Sequence, residues 1–139
     1  MTRWHPWREA RRRAHLDITF DAPTTVRGRH AADGRVQLHP RMTQAERRCA
    51  LAHELVHDER GVRPVEPVLS AMEEHLVEAI AARRLVQLDQ LVDVLRWTRH
   101  TSEVADELWV DVPMLLALTR SLTARERAWI DEQLEEQPC

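Results

Sequence analysis

The segment from Thr43 to Gly61 constrains the fold more than any other part of this sequence. It opens with Thr43-Gln-Ala-Glu46, a capping box in which the threonine hydroxyl and the glutamate carboxylate each satisfy a backbone amide of the first helical turn. Gly61 supplies a stop, because glycine readily adopts the left-handed conformation that ends many helices. The sequence therefore predicts one long helix between these two ends.

Five consecutive residues within this helix, His53-Glu54-Leu55-Val56-His57, carry two imidazoles and a carboxylate. Residues four apart lie on one face of a helix, with Cβ atoms about 5–6 Å apart, so both imidazoles can bind one ion at about 2 Å. Glu54 projects beside such an ion and can take a proton from water there. The spacing predicts a metal site with His53 and His57 as ligands and Glu54 as the general base.

Chance is the alternative explanation, because 8 of the 139 residues are histidine and short motifs carry a risk of false positives. The neighbours of the motif argue against it. Ala52, Leu55 and Val56 place the motif on a half-buried helix, where three titratable groups without a ligand would be costly. We therefore favour the metal site.

A catalytic zinc site needs a third protein ligand and an open position for water. The next predicted helix offers Glu73, Glu74, His75 and Glu78. Glu74 and Glu78 are one turn apart, so one can bind the ion while the other accepts a hydrogen bond from an imidazole. In the alternative interpretation, all these carboxylates form a solvated helix face.

The two helices together resemble the ImmA/IrrE family of metallopeptidases. In that family a sheet precedes an HExxH helix, and a later helix carries the pattern Glu-x-x-Ala-Asp-x-x-Ala-Ala. The corresponding run here is Glu74-His-Leu-Val77-Glu78-Ala-Ile-Ala81-Ala82. Val77 replaces the usual alanine and Glu78 the usual aspartate. The resemblance covers roughly residues 18–86 and implies that Glu74 is the third metal ligand, with Glu78 as its acidic neighbour.

The resemblance also implies an activity. Members of the family are metallo-endopeptidases that typically cut a partner transcriptional repressor and thereby switch on stress or mobile-element genes. Zinc is the expected ion for two imidazoles and one carboxylate, and manganese can occupy the same set. The expected protein partner is therefore a helix-turn-helix repressor that this chain cleaves.

We expect an α+β fold in one domain, residues 1–139, with a small antiparallel sheet packed on the metal-binding helices. Alternation in His15–Phe20 predicts one strand, and Asp33-Gly34 predicts a hairpin between two more. Residues 1–87 would hold the sheet and both metal-binding helices, and residues 88–139 a helical extension. Most of the five tryptophans are expected in the core, because burying one removes a large apolar area from water.

Residues 102–115 look like a helix-turn-helix, which raises a rival function: a DNA-binding regulator with a structural metal. Its second helix would contain Pro113-Met-Leu-Leu-Ala-Leu118, which offers almost no polar side chain to base edges. We therefore expect a packing module that closes the site. A third hypothesis is a toxin-like or interaction protein that has kept the fold.

Composition limits the remaining possibilities. A net charge of -3 and a pI near 6.2 supply no general field for polyanions, so direct nucleic-acid binding is not expected. Two cysteines and the lack of a long apolar run favour a cytoplasmic protein with no membrane contact.

Tyrosine is absent from the sequence, so an oxyanion would depend on the metal, an arginine, a histidine or backbone amides. His30 and His39 are further candidates for substrate contact.

Overall fold

The computed structural model describes residues 3–31, 33–61 and 63–136. In these residues, seven helices and three short strands follow one another, which confirms the α+β fold class. Their bounds are α1 Pro6–Arg12, β1 Asp17–Thr19, β2 Gly28–His30, β3 Arg35–Leu38, α2 Gln44–Arg60, α3 Pro67–Leu85, α4 Leu88–Leu95, α5 Thr101–Glu107, α6 Val112–Ser121 and α7 Ala124–Glu136.

The three strands form one mixed sheet in the order β1-β3-β2. β2 and β3 are antiparallel, with Gly28 opposite Leu38, as the hairpin signal predicts. Gly34 has a φ of +94°, and a Cβ at this position would lie 2.3 Å from the carbonyl oxygen of His15. Glycine is needed at this turn for both reasons.

The prediction of an antiparallel sheet is wrong for β1, which pairs in parallel with β3. The chain reverses once in the turn that begins at Pro23 and again at the hairpin, so β3 runs in the same direction as β1. β3 lies in the centre, where its side chains Val36 and Leu38 are fully buried. The Asp33-Gly34 pair predicted the second of these reversals. Burial of β3 decided which strand β1 would pair with.

Both predicted ends of α2 are confirmed. The Glu46 amide donates to Thr43 Oγ1 at 3.1 Å, and the Thr43 amide donates to Glu46 Oε1 at 3.1 Å. Gly61 has a φ of +66°, and its amide donates to the carbonyl of His57 at 3.0 Å. The capping box and the left-handed glycine thus fix the helix that carries the histidine motif.

α2 lies between two apolar cores. On one side Leu51 and Leu55 pack with Val36 and Leu38 of the sheet. On another side a larger core unites α2 with α3 to α7, and its buried residues from α2 are Cys49, Ala52 and Val56. Because two faces of α2 are buried in this way, the position of the remaining face, which carries His53 and His57, is fixed relative to the whole molecule.

The C-terminal helices extend the larger core. α6 contacts α3 and buries Met114, Leu115, Ala117 and Leu118. The expectation that most tryptophans are core residues is wrong, because Trp97, Trp109 and Trp129 are 55%, 61% and 39% exposed. None of the described helices combines the length and apolar character needed to cross a membrane.

Candidate metal centre

The structure brings His53, His57 and Glu74 together. The Nε2 atoms of His53 and His57 lie 2.9 and 2.8 Å from the two carboxylate oxygens of Glu74, and 3.1 Å from each other. Ligand atoms held about 2 Å from one zinc ion in a tetrahedral arrangement lie about 3.3 Å apart. The three donors therefore fit a single ion after small side-chain adjustments.

Exposure leaves one side of this cluster open. The side chains of His53 and His57 are 20% and 15% exposed, whereas that of Glu74 is 48% exposed. Hydrogen bonds from His53 and the positive charges of both imidazoles lower the pKa of Glu74, so its carboxylate is ionised, as a metal ligand must be. The cluster thus offers three donors and room for a water molecule.

Glu54 lies on the inner side of the cluster and is only 5% exposed. Burial raises the pKa of its carboxyl to about 7, while the nearby charges of His53 and Arg63 lower it. A Cβ at Gly28 on β2 would lie 3.3 Å from Glu54 Oε1, so the carboxylate packs directly against the strand. A carboxylate with a pKa near neutrality can both accept and return a proton.

The other candidates from α3 take different positions. Glu73 forms an ion pair with Arg60 at the end of α2, with Arg60 Nε 2.5 Å from Glu73 Oε2. His75 is exposed. Glu78, the alternative ligand, lies outside the three-residue cluster and lines a cleft next to His53. The geometry of the described residues therefore favours Glu74 as the third donor.

A charged network that the sequence analysis missed supports the end of α2. Asp58 accepts hydrogen bonds from His15 at 2.9 Å, His30 at 3.1 Å and Arg13 at 3.0 Å. Arg13 also donates to the carbonyl of Leu55 at 2.8 Å. Asp58 directly follows His57 in the sequence, and this adjacency is the signal that could have identified it as a residue of the site. The network ties α1 and the sheet to the turn of α2 that bears His57.

The two further histidine candidates separate in the structure. His30 is nearly buried, is hydrogen-bonded to Arg63 as well as to Asp58, and lies beside the metal cluster. His39 accepts a hydrogen bond from the amide of Arg41 at 2.9 Å and does not line either of the clefts beside the cluster. Arg63, which follows the C-terminal stop of α2, lines the site although the sequence analysis did not select it.

Two clefts meet at the cluster. The first, here called the metal cleft, has a volume of about 240 Å³ and contains His57, Glu74, His30 and Arg63. The second, here called the α6 cleft, has a volume of about 390 Å³ and extends between β2, α2 and α6. Gly28, His53 and Glu54 line both. The two clefts therefore form adjoining spaces on either side of His53 and Glu54, along the edge strand β2.

α6 is the second helix of the segment that looks like a helix-turn-helix. It packs against α3 and α5, and Pro113, Met114, Ala117 and Arg120 form a wall of the α6 cleft. The structure thus places this helix against the site.

Comparisons of the chain with known protein families, with curated proteins and with solved structures gave no match.

Proposed function

We propose that this chain is a metal-dependent endopeptidase. The proposal rests on the ligand atoms of His53, His57 and Glu74, which all lie within 4.8 Å of one another. The buried carboxylate of Glu54 lies beside them. Two imidazoles and one carboxylate, with a carboxylate base next to them, suit hydrolysis by an activated water molecule. Zinc is the ion we propose, with manganese as the alternative.

His53, His57 and Glu74 would hold the ion. An ion bound there would lower the pKa of a coordinated water towards about 7 and polarise a carbonyl group. Glu54 accepts the proton of the attacking water and then delivers it to the leaving amine. Because the sequence lacks tyrosine, we assign stabilisation of the developing negative charge to Arg63, the guanidinium that lines the metal cleft.

The edge strand β2 supplies a route for an extended substrate. β2 pairs with β3 on one side only, and residues 26–28 line the α6 cleft while residues 28–30 line the metal cleft. A peptide that adds to this edge by main-chain hydrogen bonds would pass both clefts and present a peptide bond to His53 and Glu54.

The resemblance to the ImmA/IrrE family suggests the biological substrate, a helix-turn-helix repressor encoded near this chain. A small site on an open sheet edge must gain its selectivity from docking one particular partner. A cut between the DNA-binding and oligomerising parts of the repressor would release its operator, since the two halves would no longer bind cooperatively.

The test begins with the metal. Elemental analysis after dialysis should find about one divalent ion per chain, and the protein should then cut the neighbouring repressor at one place, as seen by mass spectrometry. The matched control is Glu54→Gln with the ion bound. If the protein binds neither zinc nor manganese on titration, the proposed peptidase function is wrong. Binding of a specific DNA sequence, unchanged by Glu54→Gln, would instead favour the regulator.

The packing of α6 supports the alternative hypothesis, a DNA-binding regulator, less well than it supports the peptidase. A recognition helix must expose a polar face that enters the major groove, whereas α6 buries four apolar residues, two of which, Met114 and Ala117, line the α6 cleft. These contacts favour a structural role for α6 beside the site.

A further inference from the structure

The α6 cleft has an apolar interior. Cys49 and Ala50 of α2 contribute one side, and Met114 and Ala117 of α6 contribute another. Val26, just before β2, adds an exposed apolar side chain at the edge. The Cys49 thiol is buried and accepts a hydrogen bond from the amide of Asp111 at 3.4 Å. Burial raises its pKa to about 12, so the thiol too presents a neutral surface. These walls favour an apolar occupant.

Charges around the α6 cleft largely cancel. The guanidinium of Arg27 lies 2.6 Å from Asp111 Oδ2 and 3.1 Å from Glu46 Oε2, so its charge is already paired. Glu78 and Arg120 also line the cleft and carry opposite charges. No single sign of charge dominates the lining, and burial of a charged group against the apolar walls would be costly.

The α6 cleft is continuous with the proposed site of hydrolysis, because His53, Glu54 and Gly28 belong to both clefts. In a strand, successive side chains point to opposite faces and residues advance by about 3.3 Å. A peptide paired with β2 therefore directs one side chain close to the cleaved bond into this space. At about 390 Å³, the cleft has room for the largest aliphatic or aromatic side chains.

We propose that the α6 cleft is the specificity pocket of the enzyme and that it binds a large apolar side chain, such as that of leucine, methionine or phenylalanine, next to the cleaved bond. This inference rests on the proposed peptidase function. The pocket would determine which substrate sequences are cut, whereas the metal cluster would determine only that a peptide bond is hydrolysed. The repressor should accordingly carry such a residue at its cleavage site.

The first test is a library of peptides incubated with the zinc-loaded protein and analysed by mass spectrometry. We expect cleaved sites to have a large apolar residue at one fixed position beside the cut. Ala117→Met, which fills the cleft, should reduce cutting beside phenylalanine by about 10-fold or more relative to cutting beside alanine, since small changes in pocket size produce such discrimination. Cleavage with no preference for apolar residues would contradict the proposed specificity pocket but not the proposed peptidase function.

Ala117 is buried, so Ala117→Met alone could fail by unfolding. Val26→Asp changes an exposed residue at the edge of the same cleft and should weaken the apolar preference without unfolding the protein. The matched control is Val68→Asp, an identical change at an exposed position on α3 that lines neither cleft. Equal effects of Val26→Asp and Val68→Asp on peptide preference would contradict the proposal.

Binding provides a readout that does not depend on hydrolysis. Phenylalanine- and alanine-containing tetrapeptides would be titrated into zinc-loaded Glu54→Gln while the methyl signal of Met114 is followed by NMR. We expect the phenylalanine peptide to shift this signal at a concentration at least about 10-fold lower. If this occurs but the wild type cuts no peptide, the proposed hydrolysis fails, whereas binding of an apolar side chain in the α6 cleft stands. If the two peptides behave alike, the pocket fails.

Discussion

At the scale of single residues, Glu54 is the buried carboxylate of the site. Its side chain is buried between α2 and β2, next to His53, and burial raises its pKa to about 7. Burying a carboxylate is costly, and the nearby charges of His53 and Arg63 offset only part of this cost. The proposed exchange of protons with water at the cluster accounts for a buried carboxylate in this position.

Glu54→Gln should therefore retain the metal and lose hydrolysis. The amide has nearly the same shape and can still hydrogen-bond to water, but it cannot accept the proton, and general-base catalysis contributes about 10²–10⁴-fold to rate. Zinc titration and cleavage assays on the same sample measure both properties. If the variant still cuts at the rate of the wild type, a group other than Glu54 is the general base.

Glu74 and Glu78 differ by one helical turn, and substitution distinguishes their roles. Glu74→Ala removes one of the three clustered donors and should weaken zinc affinity by more than the about 10–100-fold that loss of an outer-shell partner causes. Glu78→Ala should weaken it much less, because this side chain lies outside the cluster. Competition with a chromogenic chelator measures both affinities. The reverse order would move the third ligand one turn along α3.

At the scale of elements, α2 is the helix on which both cores and the metal cluster depend. Its N-terminal capping box should make Thr43→Ala destabilising by about 1 kcal/mol. Urea unfolding at fixed metal content measures the loss. Thr25→Ala, a change at an exposed loop threonine, is the control and should alter the free energy of unfolding by less than about 0.5 kcal/mol. Equal effects would show that the capping box does not stabilise the folded protein.

β2 is the second element that the site requires, and its residue Gly28 lies against Glu54 of α2. A Cβ at Gly28 would lie 3.1 Å from Leu38 Cδ2 and 3.3 Å from Glu54 Oε1. Gly28→Ala should therefore displace the Glu54 carboxylate and lower the rate of cleavage while zinc affinity is kept.

Gly61→Ala is the matched control for this prediction. No atom lies within 4 Å of a Cβ built at Gly61, but its φ of +66° disfavours alanine. This variant should lose roughly 1 kcal/mol of stability and keep its rate of cleavage per folded molecule. Loss of activity in Gly61→Ala, with no loss in Gly28→Ala, would contradict the proposed contact between β2 and Glu54.

At the scale of the whole molecule, ion pairs connect helices distant in the sequence. Arg83 of α3 forms two hydrogen bonds with the carboxylate of Glu126 in α7. These bonds, together with the capping box around Thr123, lower the pKa of Glu126 from 4.5 to about 2. Because the folded state holds this carboxylate ionised, the stabilisation is present above pH 4.5 and is lost as the pH falls towards 2.

Glu126→Gln should consequently destabilise the protein at neutral pH, and its difference from the wild type should shrink as the pH falls from 4.5 to 2. Glutamine can still complete the capping box, so the change isolates the charge. Thermal unfolding across this range is the measurement. Glu132→Gln controls for the loss of one negative charge on the exposed part of the same helix. A constant difference across the range would contradict the assignment.

Local sequence determined the helix that carries the motif. The capping box at Thr43, the glycine at position 61 and the four-residue spacing of His53 and His57 act over one or two turns, so they could be interpreted without knowing the remainder of the fold. The same is true of the hairpin at Asp33-Gly34. Each of these features forms in the structure because it depends only on residues close to it in the chain.

Tertiary structure decided the features that depend on distant contacts. β1 pairs in parallel because β3, which buries Val36 and Leu38, lies between it and β2. The packing of α3 on α2 determined that Glu74, rather than Glu78, meets the two imidazoles. The approach of α6 to β2 and α2 created the larger cleft. Sequence spacing places residues on a face of their own helix, but only packing determines which faces of different elements meet.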